Sequence, residues 1–230
     1  MVAAAVLLSG GLDSTIALHH ALSRRHDFYA QIAAWSLMYG QDNADAELAA
    51  AGACAKRNGV PWLTLSLADA VARVTAAPSP GLSPAYRPSR NLLMLSVVAS
   101  HAAARFVDHR IDIFVGCCAA DAAGFPDCRP GFLLAAGHAL GLGLVRDVNV
   151  VAPLVDRTKS QGIDGVRDMP GALRDVARSW SCYRAGPKPC GVCTPCVLRR
   201  EAFSAQNIAD ESHFAGMTGG DGPTVKEMSA

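Results

Sequence analysis

Ser9-Gly10-Gly11-Leu12-Asp13-Ser14 follows directly on the apolar run Val2 to Leu8, and the reading of this junction decides the fold class. A buried strand that breaks at a glycine pair and resumes as a helix is how an α/β protein turns backbone amides toward an anion. The glycines adopt dihedrals closed to other residues and let the backbone come close to a phosphate, while the helix dipole favours negative charge at its start. Ser9, Ser14 and Thr15 add hydroxyl donors. Asp13 is out of place in a pure anion cradle, because its charge repels phosphate. It either caps the helix or helps to place a metal ion riding on the phosphates. No Gly-Lys-Ser/Thr closes the segment and its glycine spacing is not that of a dinucleotide fingerprint, so both of those nucleotide loops are excluded.

Working outward, the chain alternates strand and helix. Ser14 to Arg25 carries Ile16, Ala17, Leu18, Ala21 and Leu22 on one helical face, and Phe28 to Leu37 then reads as a strand. Asp45 to Asn58 is an alanine-rich helix stopped by Gly59, and Trp62 to Leu67 is another strand. Prolines 78, 80, 84 and 88 exclude regular structure from 76 to 90, so a surface loop leads into Ser89-Arg90-Asn91, with Asn91 a candidate cap. Leu92 to Phe106 is the longest apolar helical run and is expected to be deeply buried. Ile111 to Gly116 reads as a central parallel strand, Pro130 to Leu142 as a helix and Val148 to Pro153 as a strand. Lys159 to Arg178 divides into two short helices at Pro170, and Val197 to Gln206 forms a last helix before a frayed end. The predicted fold is a doubly wound parallel sheet with ligands beyond the carboxyl ends of its strands.

The 230 residues, half of them apolar, can bury a full core, and a formal net charge of +1 gives no bulk attraction to nucleic acid or to a membrane. No apolar stretch has membrane-spanning length, and the start lacks a basic region and a cleavage pattern, so a cytoplasmic protein is expected. In a reducing compartment the eight cysteines point to metal-bound thiolates rather than disulfides.

Cys182, Cys190, Cys193 and Cys196 carry that expectation, the last three spaced C-x-x-C-x-x-C with Gly191 and Pro195 bending the chain. Four thiolates can enclose one zinc ion tetrahedrally with no vacancy left for catalysis, and an iron–sulfur cluster is the rival ligand. Only Arg184, Lys188, Arg199 and Arg200 lie nearby, too few for a nucleic-acid surface. Cys54 reads as a small apolar residue on a helix face. The texture divides the chain into a nucleotide-binding α/β domain at 1–179, a zinc-binding segment with its helix at 180–206 and a tail at 207–230.

A second constellation, Val115 to Pro130, runs from a buried strand end to the next helix through Asp121, Asp127 and Arg129. Taken alone, Asp127 caps that helix and Arg129 is a solvated charge. In the form SGGxDS after a first strand, however, the amino-terminal turn resembles the pyrophosphate loop of the N-type ATP pyrophosphatases. The order SGGLDS, Tyr39-Gly40-Gln41, Ser89-Arg90-Asn91, GFPDCRP at 124–130 and WSCY at 180–183 with its cysteines resembles the QueC-type 7-cyano-7-deazaguanine synthases from about residue 2 to 205. That resemblance implies an adenine-nucleotide α-hydrolase-like fold and conversion of 7-carboxy-7-deazaguanine, ATP and ammonia to the nitrile. It also implies Mg2+ on the triphosphate, zinc on the four cysteines and a homodimer. Leu8, Ser9, Gly10, Gly11, Leu12, Asp13, Ser14 and Thr15 would then hold ATP, and Asp13, Lys159 and Arg129 would be catalytic. Arg90, Asp121, Asp127 and Arg129 would recognise the deazapurine and its carboxylate, by bidentate pairing or by accepting ring N–H bonds. The chain departs from the family at Asp42-Asn43, where a basic pair usually follows Tyr-Gly-Gln, at Ala122-Ala123, and in a shorter proline-rich loop. The alternatives are a related ligase acting on another deazapurine carboxylate, supported by the altered region after Gln41, and a non-catalytic protein that binds ATP and zinc.

Overall fold

The computed structural model describes residues 1–71 and 80–211. Five strands, β1 (Val2–Leu7), β2 (Tyr29–Met38), β3 (Trp62–Ser66), β4 (Arg110–Phe114) and β5 (Val148–Val151), form one sheet in the order β3-β2-β1-β4-β5. All its pairings are parallel, with Leu7 opposite Trp35 on one side of β1 and Val6 opposite Phe114 on the other. The chain leaves β1 toward β2 but returns on β1's far side as β4, which opens a crevice between the loops after β1 and β4.

Nine helices complete the described fold: α1 (Leu12–Leu22), α2 (Ala44–Arg57), α3 (Ala68–Val71), α4 (Arg90–Arg105), α5 (Asp121–Gly124), α6 (Pro130–Leu144), α7 (Lys159–Gly165), α8 (Ala172–Ala177) and α9 (Thr194–Ala205), with a single 3₁₀ turn at Pro126–Cys128. The alanines of β1 split between the faces as the pleat requires. Ala3 and Ala5 pack with α4 and α6, whereas Ala4 and Val6 pack with α1 and α2. A third cluster joins Ile16 of α1 to Ile163 of α7, Val176 of α8 and Phe203 of α9. The expected doubly wound sheet is therefore present, with helices on both faces.

Several local expectations are corrected. Helix α4 buries Met94, Leu95, Val98, Ala99 and Ala102 but leaves Leu92 exposed, so it is amphipathic rather than deeply buried. Its cap is Ser89, at φ 59°, while Asn91 lies inside the first turn and donates from Nδ2 to Asp127 O (3.3 Å). Asp127 caps across the fold: its Oδ2 accepts from Asn91 N (3.2 Å) at the start of α4, and α6 is capped by Arg129 instead. The proline-rich loop, in its described part from Pro80, packs on the second constellation through Ser83 N to Gly124 O (3.0 Å). Residues 76–79 of that loop and the frayed end lie outside the described residues. No helix among the described residues is long and apolar enough to cross a membrane.

Candidate active site

The phosphate turn is shaped by what lies behind it. Leu8, fully buried, extends β1 by donating its N–H to Trp35 O (2.8 Å), and its carbonyl accepts from Ser36 Oγ. Trp62 Nε1 holds that same hydroxyl at 2.8 Å. Gly10 then takes φ 87°, and a Cβ there would fall 2.2 Å from Glu47 O of α2. The position is closed to any side chain both by conformation and by contact. Gly116, after β4, lies equally close to α1, because a Cβ would sit 2.6 Å from Ser14 N. Gly10 thus seats the turn against α2, and Gly116 lets the loop after β4 meet the start of α1. Ser9 Oγ and Ser14 Oγ lie 3.0 Å apart, and Ser14 Oγ donates to Gly11 O (3.1 Å). Leu8 and Leu12 are buried and shape the loop from behind, while Ser9 is exposed.

Asp13 is not the cap of α1, which is Gly11; it forms an ion pair with Lys159 at the start of α7. A capping box, with Thr158 Oγ1 accepting from Gln161 N (3.2 Å) and Gln161 Oε1 accepting from Thr158 N (2.9 Å), sets the direction of α7. The loop after β5 is tied to the loop after β4 by Ala119 N to Arg157 O (3.1 Å), which brings Cys118 Sγ to 3.7 Å from Lys159 Nζ. Asp121 Oδ2 accepts from Cys118 N (2.9 Å), and ligand atoms of Asp13, Cys118 and Asp121 all lie within 4.8 Å of one another. Burial pushes Asp13 up, and the neighbouring ammonium opposes that rise. Burial alone would lower Lys159, but Asp13, through its charge and its hydrogen bond, together with Cys118 and Asp121 outweighs burial and keeps the ammonium above its ordinary value. Asp13 Oδ1 is buried without a partner among the described residues, an oxygen left free for a hard cation or a donor.

A second network lies across the crevice. Arg90 covers the Tyr39 ring (4.9 Å from the centroid), and Gln41 Oε1 accepts from Tyr39 N (2.8 Å). Gln41 Nε2 and Asn43 Nδ2 each donate to one oxygen of Glu47 at 3.1 Å. Burial raises the Glu47 and Asp127 carboxyls, opposed by the amides around the first and by the Asn91 N–H at the second. Arg90 Nε and Asp127 Oδ1 are both buried and unpartnered among the described residues, a donor and an acceptor of the kind a polar heterocycle would complete.

The four cysteines meet as their spacing predicts. The Sγ atoms of Cys182, Cys190, Cys193 and Cys196 lie within 4.8 Å of one another, with Cys193 at 3.9 Å from Cys182 and 3.4 Å from Cys196. Tetrahedral thiolates around zinc stand about 3.8 Å apart, so the donor set fits that ion. Cys182 Sγ also accepts from Arg184 N and Cys190 N, both at 3.4 Å, as a metal-bound thiolate does. This segment is strapped to the phosphate turn: Trp180 N donates to Gly10 O (2.8 Å), and Cys182 O accepts from Trp180 Nε1 (2.9 Å) and from Asn43 Nδ2 (2.8 Å).

The family model for Queuosine biosynthesis protein QueC matches residues 3–207, nearly the whole described chain. The chain belongs to the QueC family. Curated relatives named 7-cyano-7-deazaguanine synthase include one from Thiobacillus denitrificans, 38% identical over 92% of this chain and 98% of that protein. Those from Methylobacillus flagellatus and Laribacter hongkongensis are 37% and 36% identical, over 94% and 90% of this chain and 97% and 92% of theirs.

In this QueC-family chain, the structure brings Asp13, Lys159 and Asp121 together at the phosphate turn and places Arg90 with Asp127 in the second network. Arg129, two residues beyond Asp127, is exposed and donates its Nε to Ala122 O (2.9 Å), at the rim of the second constellation. Asp121, read from sequence with the substrate residues, joins the phosphate side instead. Cys118, Glu47 and Asn43 join these networks although the sequence reading did not name them as candidates. Cys118 reaches Lys159 only through the pairing of two distant loops.

Proposed function

We propose that the chain is an ATP-dependent 7-cyano-7-deazaguanine synthase that converts 7-carboxy-7-deazaguanine and ammonia to the nitrile. The ion pair of Lys159 with Asp13, at the mouth of the SGGLDS turn, supports the reading most directly. It puts one protonated cation beside the anion-binding start of α1, where an adenylating enzyme must stabilise departing pyrophosphate.

A carboxylate is a poor electrophile. Its oxygen attacks the α-phosphorus of ATP, releasing pyrophosphate and leaving an acyl adenylate. Amides of the turn and the hydroxyls of Ser9, Ser14 and Thr15 hold the phosphates, and the Lys159 ammonium offsets charge on the leaving oxygens. Ammonia adds to the acyl carbon, expels AMP and gives the amide with loss of a proton. The amide oxygen attacks a second ATP in the same way, and loss of AMP and a proton from the adenylated amide leaves the nitrile. Arg90 Nε donates to the heterocycle and Asp127 Oδ1 accepts its N–H, while Arg129 meets the incoming carboxylate at the rim. Mg2+, held by Asp13 with Asp121, would neutralise triphosphate charge, and zinc on the four cysteines would supply no chemistry beyond holding the segment. A homodimer in the cytoplasm completes the reading.

Purified protein with ATP, Mg2+, ammonia and the 7-carboxy compound is expected to yield AMP and the nitrile. Mass spectrometry that finds neither amide nor nitrile from folded, ATP-binding protein rejects this substrate. Asn43 favours a second reading: it stands where the family carries a basic residue, bridging Glu47 and Cys182 O beside the second network. The same chemistry on another deazapurine carboxylate then follows, and a panel of such acids scored for AMP release separates the two.

A further inference from the structure

Helices α4 and α6 pack together against Ala3 and Ala5 on one face of the sheet and are joined at both ends. Where they begin, Asn91 Nδ2 donates to Asp127 O (3.3 Å) and to Cys128 Sγ (3.5 Å). Where they finish, Arg146 Nη1 donates to Ala103 O and Phe106 O, both at 3.0 Å. Their outer sides therefore form one surface, and it is apolar. Leu134 is 77% exposed, Leu142 69% and Val145 93%, with Leu92 and Val107 exposed at the two ends of α4. No Asp, Glu, Lys or Arg occurs in 91–104 or 130–145, although 18% of the chain is charged. Ser96 and Ser100 turn their hydroxyls back to Leu92 O (2.8 Å) and Ser96 O (3.0 Å), so excluding water here strands neither of them. Three local choices on this side gain nothing within the chain. Gly131 and Gly143 have open space where a side chain would stand, so alanine would serve the helix better. Val145 ends α6 at φ 52°, a left-handed position that suits glycine, with its side chain in water.

We propose that this outer side of α4 and α6 is the surface on which a second copy of the chain docks about a two-fold axis. The proposal rests on the homodimer of the reading above, whose interface it names, and on no assignment of substrate. The exposed residues Leu134, His138 and Leu142 form a ridge at i, i+4 spacing, and the exposed row Gly131, Ala135, Ala139, Gly143 beside it forms a shallow groove. A ridge and a groove on the same helix are self-complementary, because two-fold symmetry lays the ridge of each copy in the groove of the other. A surface without charge also meets its own copy without like-charge repulsion. The five large side chains expose on the order of 500 Å², at the upper end of what a monomer leaves in water. With the small residues between them, the area approaches the roughly 800 Å² per partner of a stable complex. Residues 212–230 of the same chain are the competing occupant. They are disfavoured because Glu211 is paired with Arg178 (3.2 Å) at the end of α8, which packs with α1 on the opposite face of the sheet.

Sedimentation equilibrium and hydrogen–deuterium exchange on the full metal-loaded chain test this. Wild type is expected to be a dimer. Leu134→Glu and Leu142→Glu, which bring charge to the two-fold, are expected to raise its dissociation constant about a hundredfold while Tm and metal content stay at wild-type values. Dilution of wild type to monomer is expected to cost amide protection in α6 and the outer turns of α4 alone. A dimer that both variants leave intact overturns the proposed face and keeps the homodimer. A monomeric wild type removes the homodimer and the proposal with it; α6 protected at every dilution then assigns the surface to the chain's own tail, and α6 unprotected leaves it to a different protein. Assembly beyond a dimer overturns the closed two-fold pairing. Should the variants fail to fold, the dilution series decides alone, because protection lost from any other surface overturns the proposal.

Discussion

At the scale of single residues, the proposed nucleotide end of the site rests most on Gly10 and Lys159. Gly10 is closed by backbone on one side and by a positive φ on the other, so Gly10→Ala must displace α2 or collapse the turn. Isothermal titration is expected to show no ATP binding, whereas a glycine with open space around it, such as Gly143, tolerates alanine. Lys159→Met removes the cation that faces leaving pyrophosphate and leaves the buried Asp13 without its partner. A fall of about 10² to 10³ in kcat is expected, with a smaller change in KM for ATP, because the charge matters most when pyrophosphate departs. Much of this was legible in the sequence, since a glycine pair after an apolar run is a local signal. The partner of Asp13 was only half legible: Lys159 was singled out, but the ion pair closes across a sequence separation of 146 residues. Asp127 illustrates the same limit. Its cap on α6 looked local, and the carboxylate instead reaches α4 across a separation of 36 residues.

Among the elements, α8 is joined to α1 and α2 through one buried carboxylate. Asp175 accepts from His19 Nε2 (3.0 Å), Asn58 Nδ2 (2.6 Å) and Arg57 Nε (2.7 Å), and its side chain has no exposure. Burial by itself would raise its pKa, but the bonds from His19, Asn58 and Arg57 outweigh burial and hold the carboxyl well below the usual range. A folded-state value below the unfolded one stabilises the protein above the unfolded pKa, near about 3.9, and that contribution disappears as pH falls through the folded value. The acid limb of a Tm profile is therefore expected to steepen below about pH 4 in wild type, and Asp175→Asn to flatten it. Calorimetry at pH 7 should show Asp175→Asn destabilised by about 3 kcal/mol, because Arg57 loses its charged partner. Neither α8 nor its lock could be read beyond the existence of two short helices around Pro170, since His19, Asn58 and Arg57 come from other elements and only Arg174, whose Nε donates to Asp175 Oδ1 (3.2 Å), is local. The one-sided burial of α4 was lost for a related reason. A run of apolar residues marks a helix, but only the sheet and α6 decide which face they cover.

Across the whole molecule, the carboxyl-terminal cysteine segment and the amino-terminal turn form one unit. Cys193→Ser is expected to release the metal, measured by elemental analysis, and to lower Tm. It should also weaken ATP binding, because the segment that carries Trp180 to Gly10 O loses its staple. Unaltered ATP affinity in a metal-free, folded variant would show the two ends to be independent. The cluster itself was legible from its spacing, but its seat against the turn was not, because backbone bonds between residues 10 and 180 leave no trace in composition or periodicity.

The bond from Trp180 N to Gly10 O also orders events during synthesis. All five strands are complete by Val151, so the sheet can assemble on a ribosome while the last third of the chain is still being made. The turn that follows the first strand, by contrast, gains its bond from Trp180 N only once residue 180 has emerged. A translating chain of this protein thus has the strands of its scaffold available before the brace on that turn.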